Sequence, residues 1–339
     1  MPTILPTILP TILITHPRSA LANYFGPKAL AKLESAAELR FNPGDEPLTT
    51  AALIEAARDC EVIIADRATA GEGDIFGQLP RLVAFSRCAV DIRNIDVAAA
   101  SREGILVTQA SAGFMASVSE WTIGVMIDLS RQIAAASTTY HAGELPLPSM
   151  GRELRGSTLG VIGFGQIARY LCRLGLAFGM RVLVNDPYAR VDDPALAQVT
   201  RATLLAEADY VVCLAVATAE TENLMDAAAF AAMKPTAYFI NPSRGNLVDE
   251  AALTQALDDG RIAGCAMDVG RAPDQMPSPA LARHHRVIAT PHIGGLTPPA
   301  IEHQAMETAG QVQQILLGRI PAGAVNASQA TRLPGRARD

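Results

Sequence analysis

No two of the five cysteines form a CxxC pair: Cys60, Cys88, Cys172, Cys213 and Cys265 are scattered through apolar segments such as DYVVCLAV. That spacing argues against a zinc site or a disulfide frame and suits reduced, buried thiols in a cytoplasmic protein. The six histidines also lack ligand spacing, so no metal is expected. Charge is sparse, at 18% of residues with a net of −6, which leaves no general attraction for a polyanion. Nucleic acid is therefore not an expected partner, although a local basic pocket for a small anion is compatible with the composition.

A long hydrophobic run is missing as well. The chain opens PTILPTILPTILITH, with Pro2, Pro6 and Pro10 removing a backbone donor at every fourth position. A spanning helix needs ~20 apolar residues and an export signal needs a basic start, so neither membrane insertion nor secretion is expected. The third copy, running into TILITH, reads as the first strand of a βα unit. The first two copies read as a duplicated, extended leader.

What the chain does have is apolar residues, 49% over 339 positions, enough for two cores. Short β-branched runs alternate with helical patterns: TILITH, a helix near 18–37, AELRF, LTTAALIEAARDC, EVIIAD, LVAFSRC and GILVTQ. Strands alternating with helices predict a parallel sheet covered on both faces. ASVSEWTIGVMIDLSRQIAAASTTYHAG predicts one long helix, followed by a polar linker from Glu144 to Arg155. From Gly156 a second series begins and predicts an open, doubly wound sheet of its own.

The strongest local signal is TLGVIGFGQIARYLCRLGLAFGMRVLVNDPY. Gly163 permits a tight turn after the strand, and Gly165 lets a pyrophosphate approach the backbone at Gln166 and Ile167. Ala168 takes the third small position, where helix and strand pack closely. The helix start offers free N–H groups and the positive end of the helix dipole. Asp186, at the end of the next strand, suits an adenosine ribose diol and repels a 2′-phosphate, which points to NAD over NADP. Arg190 stands nearby and tempers that preference.

GFGQIA with Asp186, INPSRGNLVDEAAL and TPHIGGLT together resemble the D-2-hydroxyacid dehydrogenase family, from about ITHP to the last helix. The resemblance implies an α/β chain of two doubly wound parallel-sheet domains. A Rossmann cofactor domain, 106–295, is inserted into a flavodoxin-like substrate domain, 1–105 plus 296–339. It implies NAD as cofactor and a homodimer built with the helix at 116–135. It makes Arg244 the arginine that orients the substrate, which a guanidinium can do bidentately, and His292 the acid/base, a side chain that titrates near neutrality. Asp268 is implied at the nicotinamide carboxamide, with Pro242, Ser243 and the backbone from Ile293 through Gly294 and Gly295 completing that end.

The chain departs from the family pattern in three places. The glutamate that hydrogen-bonds the histidine is missing, and no glutamate occurs between Asp268 and Glu302. One inserted residue aligns Asp274 with it, where a carboxylate would favour the imidazolium; the same aspartate also suits a turn after Pro273. LAVATAET replaces a longer, proline-containing loop, with Thr218 as its cofactor candidate. In the substrate loop, SRCAVDIRNID has Cys88, Ala89 and Val90 where relatives carry glycines. Backbone donation from Ala89 and Val90 survives the change, and side chains now crowd the pocket. Arg67 falls at a substrate-contacting arginine, Arg87 and Arg93 are further anion candidates or surface charges, and Phe114 and Met115 are candidates to line the same pocket or ordinary core. The expected activity is hydride transfer between NAD(H) and a small 2-hydroxy or 2-oxo acid. The alternatives are a non-catalytic NAD sensor on the same fold, and a formate- or phosphite-type dehydrogenase.

Overall fold

The computed structural model describes residues 9–272 and 275–335. The chain divides into two compact units, Met1–Gly113 with Pro298–Asp339, and Phe114–Thr297.

In the first unit five strands, β1 (Thr11–Ile14), β2 (Glu38–Phe41), β3 (Val62–Ala65), β4 (Ala84–Arg87) and β5 (Leu106–Gln109), form a parallel sheet in the order β2-β1-β3-β4-β5. This is the flavodoxin-like order, with its reversal between β1 and β3. Both faces are apolar, as a parallel sheet requires. Ile12, Ile14, Val62, Ile64 and Leu106 face one core, while Leu13, Ile63, Phe85 and Val107 face the other. The returning helix Pro298–Leu316 lays Ala305, Ala309 and Val312 into the first of these cores. Beyond it, the Asn326 side chain accepts from the Val107 N–H at 2.8 Å and donates to the Ile105 carbonyl at 2.9 Å, closing the edge of β5.

The second unit holds β6 (Thr158–Ile162), β7 (Arg181–Asn185), β8 (Leu196–Gln198), β9 (Tyr210–Cys213), β10 (Tyr238–Asn241), β11 (Gly264–Met267) and β12 (Val287–Ala289). They run parallel in the order β12-β11-β10-β9-β6-β7-β8. The order reverses between β6 and β9, the switch point where a doubly wound sheet opens a crevice at its strand ends. Both units are thus doubly wound α/β sheets, the second a Rossmann arrangement.

Three expectations shift. β5 pairs with β4 along its whole length, so the first unit runs to Gly113 and not to residue 105, and the second ends at Thr297. The helix expected at 116–135 is two helices, Met115–Arg131 and Ile133–His141, broken where Gln132 adopts a left-handed φ of 55°. Asp128 stabilises the break, its carbonyl accepting from Gln132 N–H at 2.6 Å and its carboxylate from Ala134 N–H at 2.8 Å. The helix near 18–37 is also two, Arg18–Tyr24 and Pro27–Glu34, because proline at 27 lacks the N–H that continuation would need. All five cysteines are buried and free. Burial pushes the Cys60 thiol up to about 11 and those of Cys88, Cys172 and Cys213 up to about 12, so these four are inert as nucleophiles near neutrality.

At the end of β1, His16 is 4% exposed and its Nδ1 has no hydrogen-bond partner among the described residues. Burial lowers its pKa from 6.5 to about 4; Asp66 opposes the shift and Arg87 adds to it. The folded state therefore holds the neutral ring. The associated stability is complete above pH 6.5 and is lost as pH falls towards 4, a loss of order 3 kcal/mol. Replacing His16 by Leu is expected to flatten that part of the pH–stability curve, read by denaturant unfolding at pH 7, 6, 5 and 4.

Candidate active site

The glycine loop follows β6. Gly163 has φ 91°, and a Cβ there would lie 2.6 Å from the Leu214 carbonyl oxygen and 2.7 Å from Ala215 N. The residue must be glycine because the β9 loop crosses it. Gly165 differs: its φ is −77°, and a Cβ would meet nothing within 4 Å. Nothing among the described residues requires glycine at that position, whereas an approaching pyrophosphate would. Gly165 caps the helix Gln166–Ala177 without a side-chain bond, leaving the first-turn donors to a ligand. Ala168 is fully buried against the sheet.

Asp186 stands just beyond β7. Its carboxylate accepts from the N–H groups of Phe164 at 2.7 Å, Tyr188 at 2.8 Å and Ala189 at 2.9 Å. Partial burial works to raise its pKa, but these donors, with Arg169 nearby, hold it below the usual carboxylate value. The anion that would meet a ribose diol is therefore kept charged and tied to the glycine loop itself. Tyr188 and Val216, on the β7 and β9 loops, leave apolar surface bare at 86% and 77% exposure, which suits an adenine ring. Arg190 turns to Asp192 at 2.8 Å.

Two further loops carry the candidate chemistry. At the end of β10, the fully buried Asn241 donates to the Arg244 carbonyl at 2.9 Å and accepts from the Ser243 N–H at 3.1 Å. Ser243 Oγ donates to the Ala215 carbonyl, and Pro242 is buried between them in sequence. The half-buried Arg244 donates through Nη1 to the Ser243 carbonyl at 2.7 Å. After β11, Asp268 is 2% exposed. It accepts from Thr290 Oγ1 at 2.6 Å, Ile293 N–H at 2.8 Å and Gly294 N–H at 2.8 Å. Its backbone carbonyl takes the His292 N–H at 2.9 Å. His292 sits at φ 56°, an uncommon conformation for a non-glycine residue and one that needs outside support. Asp268, expected at a ligand's carboxamide, thus has the His292 loop as its main partner.

The sequence reading missed several of the groups that hold these loops. A Cβ on Gly294 would lie 2.8 Å from Asp268 Oδ2 and 3.7 Å from Trp121, the single tryptophan, while one on Gly295 would lie 3.3 Å from Phe114. Phe114 therefore supports this loop. Arg271 ties the β11 loop to its neighbour through Val248 and Asn246 carbonyls and Glu222. Asn241 was detectable as a polar residue ending the apolar run YFIN; Trp121 carried no such signal. Asp274 lies outside the described residues.

In the first unit, Arg87 is fully buried and belongs to the structure. It donates to the carbonyls of Asp66 and of Thr69 (2.8 Å) and to Asn94 Oδ1 (2.6 Å), stitching the β3 and β4 loops together. Arg67 is exposed on the first of these loops, and Ala89 and Val90 form the second.

A glycine cradle, an anchored acidic partner and a reversal of strand order beside them define a dinucleotide-binding α/β protein. Residues 123–294 match the model of the D-isomer specific 2-hydroxyacid dehydrogenase NAD-binding domain, and the chain belongs to this family. It is 34% identical over 283 residues to a D-3-phosphoglycerate dehydrogenase of Synechocystis sp., an alignment covering 82% of this chain and 51% of that protein. The chain thus spans about half the length of that relative. It is 35% identical over 271 residues to an (S)-sulfolactate dehydrogenase of Chromohalobacter salexigens, covering 78% and 88%. The apo-structure of D-lactate dehydrogenase from Escherichia coli superposes with a TM-score of 0.81 at 26% identity, covering 93% and 99%.

The contrast between the two glycines is testable. Gly165→Val is expected to leave the unfolding midpoint unchanged and weaken NADH binding at least tenfold, measured by fluorescence titration. Gly163→Val is expected to lower the unfolding midpoint, because its Cβ meets backbone at a left-handed φ.

Proposed function

We propose that this protein is an NAD-dependent oxidoreductase interconverting a small 2-hydroxy acid and its 2-oxo acid. The observation that supports this reading is the tie between Asp268 and the His292 loop, which holds the backbone of His292 after β12 while Arg244 follows β10, two strands away in the same sheet. Bound NADH supplies the hydride. Arg244 orients the oxo acid through its carbonyl and carboxylate oxygens, and His292 gives a proton to the oxygen as C2 is reduced; in oxidation it takes that proton back. The backbone of Ala89 and Val90, with Arg67, holds the substrate carboxylate. Pro242, Ser243, Asp268, Gly294 and Gly295 frame the nicotinamide end. The preserved Asp186 favours NAD, and the buried free thiols are in keeping with the cytoplasm.

Replacing His292 by Ala is expected to lower turnover of a 2-oxo acid by ~10²–10⁴ while NADH still quenches Trp121. Near-normal turnover would refute the acid/base role.

We further propose a homodimer. The helix Ile133–His141 buries no residue, and Leu145, Leu147 and Met150 are 84%, 91% and 100% exposed in the segment after it. Gly124, in mid-helix, faces open space where a second backbone could approach. A second copy would cover this surface isologously. Light scattering is expected to give twice the 35.7 kDa chain mass, falling to the single-chain value in the Leu145→Asp, Leu147→Asp double variant.

A further inference from the structure

The β3 and β4 loops of the first unit form one platform. Besides Arg87, Gly71 N–H donates to the Asn94 carbonyl at 2.9 Å, Asp96 N–H to the Gly71 carbonyl at 2.8 Å, and Asn94 Nδ2 to the Arg67 carbonyl at 3.3 Å. A platform tied at so many points does not let its side chains drift. Arg93 rises from it next to Asn94, and its guanidinium is clamped at one edge only. Its Nε and Nη2 donate to the Asp91 carboxylate at 3.0 and 2.7 Å, and its own backbone N–H donates there at 3.0 Å. The Asp91 side chain is 16% exposed and that of Arg93 is 53% exposed. The clamp therefore sets the orientation of a planar fork while the Nη1 edge has no partner among the described residues.

A surface arginine ordinarily loses rotamer freedom when it captures a ligand. Here the Asp91 bond has already removed that freedom, so a second oxyanion can be held bidentately with little further ordering. The location also matters, because ligands of open α/β sheets meet the loops at the carboxyl ends of the strands, and Arg93 lies three residues beyond Val90 in one such loop.

We propose that Arg93 is a specificity-determining residue: it binds a second anionic group, a carboxylate, sulfonate or phosphate on C3, and so selects dianionic 2-oxo and 2-hydroxy acids over monoanionic ones. This rests on the dehydrogenase reading above and assigns its substrate class. The neutral Asp91–Arg93 pair recognises the group by fork geometry more than by net charge, so lysine is a poor replacement.

The test uses the full chain with NADH and four 2-oxo acids: pyruvate, oxaloacetate, sulfopyruvate and 3-phosphohydroxypyruvate. The native protein is expected to show a higher kcat/KM for at least one of the last three than for pyruvate, and the identity of that one names the anion. Arg93→Ala is expected to cut this preference about tenfold through KM, and Arg93→Lys to restore only part of it. Absence of any preference in the native protein, or a preference unchanged in Arg93→Ala, would overturn the assignment. Binding of the same acids to the NADH complex, followed by Trp121 fluorescence, separates the two readings. Arg93-dependent binding of a dianion without turnover would sink the dehydrogenase and keep the anion site, while turnover with binding indifferent to Arg93 would do the reverse.

Discussion

One buried carboxylate holds the candidate catalytic geometry together. Asp268 receives a hydroxyl and two backbone N–H groups from the segment that follows β12, and it does so at 2% exposure, where an unpaired charge would be costly. These bonds stabilise His292 in a left-handed conformation that a free loop would abandon. Trp121 and Phe114 stand close against Gly294 and Gly295 of the same turn. The backbone that carries His292 is thus held by groups that never need to touch a substrate, the kind of preorganisation that the proposed proton transfer would use.

The cofactor side follows the same logic of doubled use. Asp186 is at once an anchor for the glycine loop, through Phe164 N–H, and the acid that a ribose would meet. Gly163 and Gly165 look alike in the sequence and serve different masters, one the packing of the β9 loop, the other open space beside a helix start.

What could be read from the sequence was whatever is local. The strand–glycine–helix turn at 160–168, the acidic residue after RVLVN and the alternation of strands with helices all follow from spacing over a few residues. The end of the first unit was misplaced because β5 belongs to it only through pairing with β4, a contact that periodicity does not encode. The break at Gln132 escaped notice because glutamine has no signature for positive φ; Asp128 makes it possible from four residues back. Arg87 resembled a surface charge and is instead a wholly buried staple, since two loop carbonyls and an amide oxygen were waiting for a fork of donors. Asp268 and Asn241 were visible as polar ends of apolar strands, but the loops they organise were not.

The returning helix carries a consequence for how the chain acquires its structure. Ala305, Ala309 and Val312 complete one core of the first sheet, and Asn326 seals its last strand. During synthesis from the N-terminus, that sheet emerges early yet lacks its cover until Phe114–Thr297 has left the ribosome. The inserted unit, one continuous stretch of chain, can consolidate first, so the part made first finishes last.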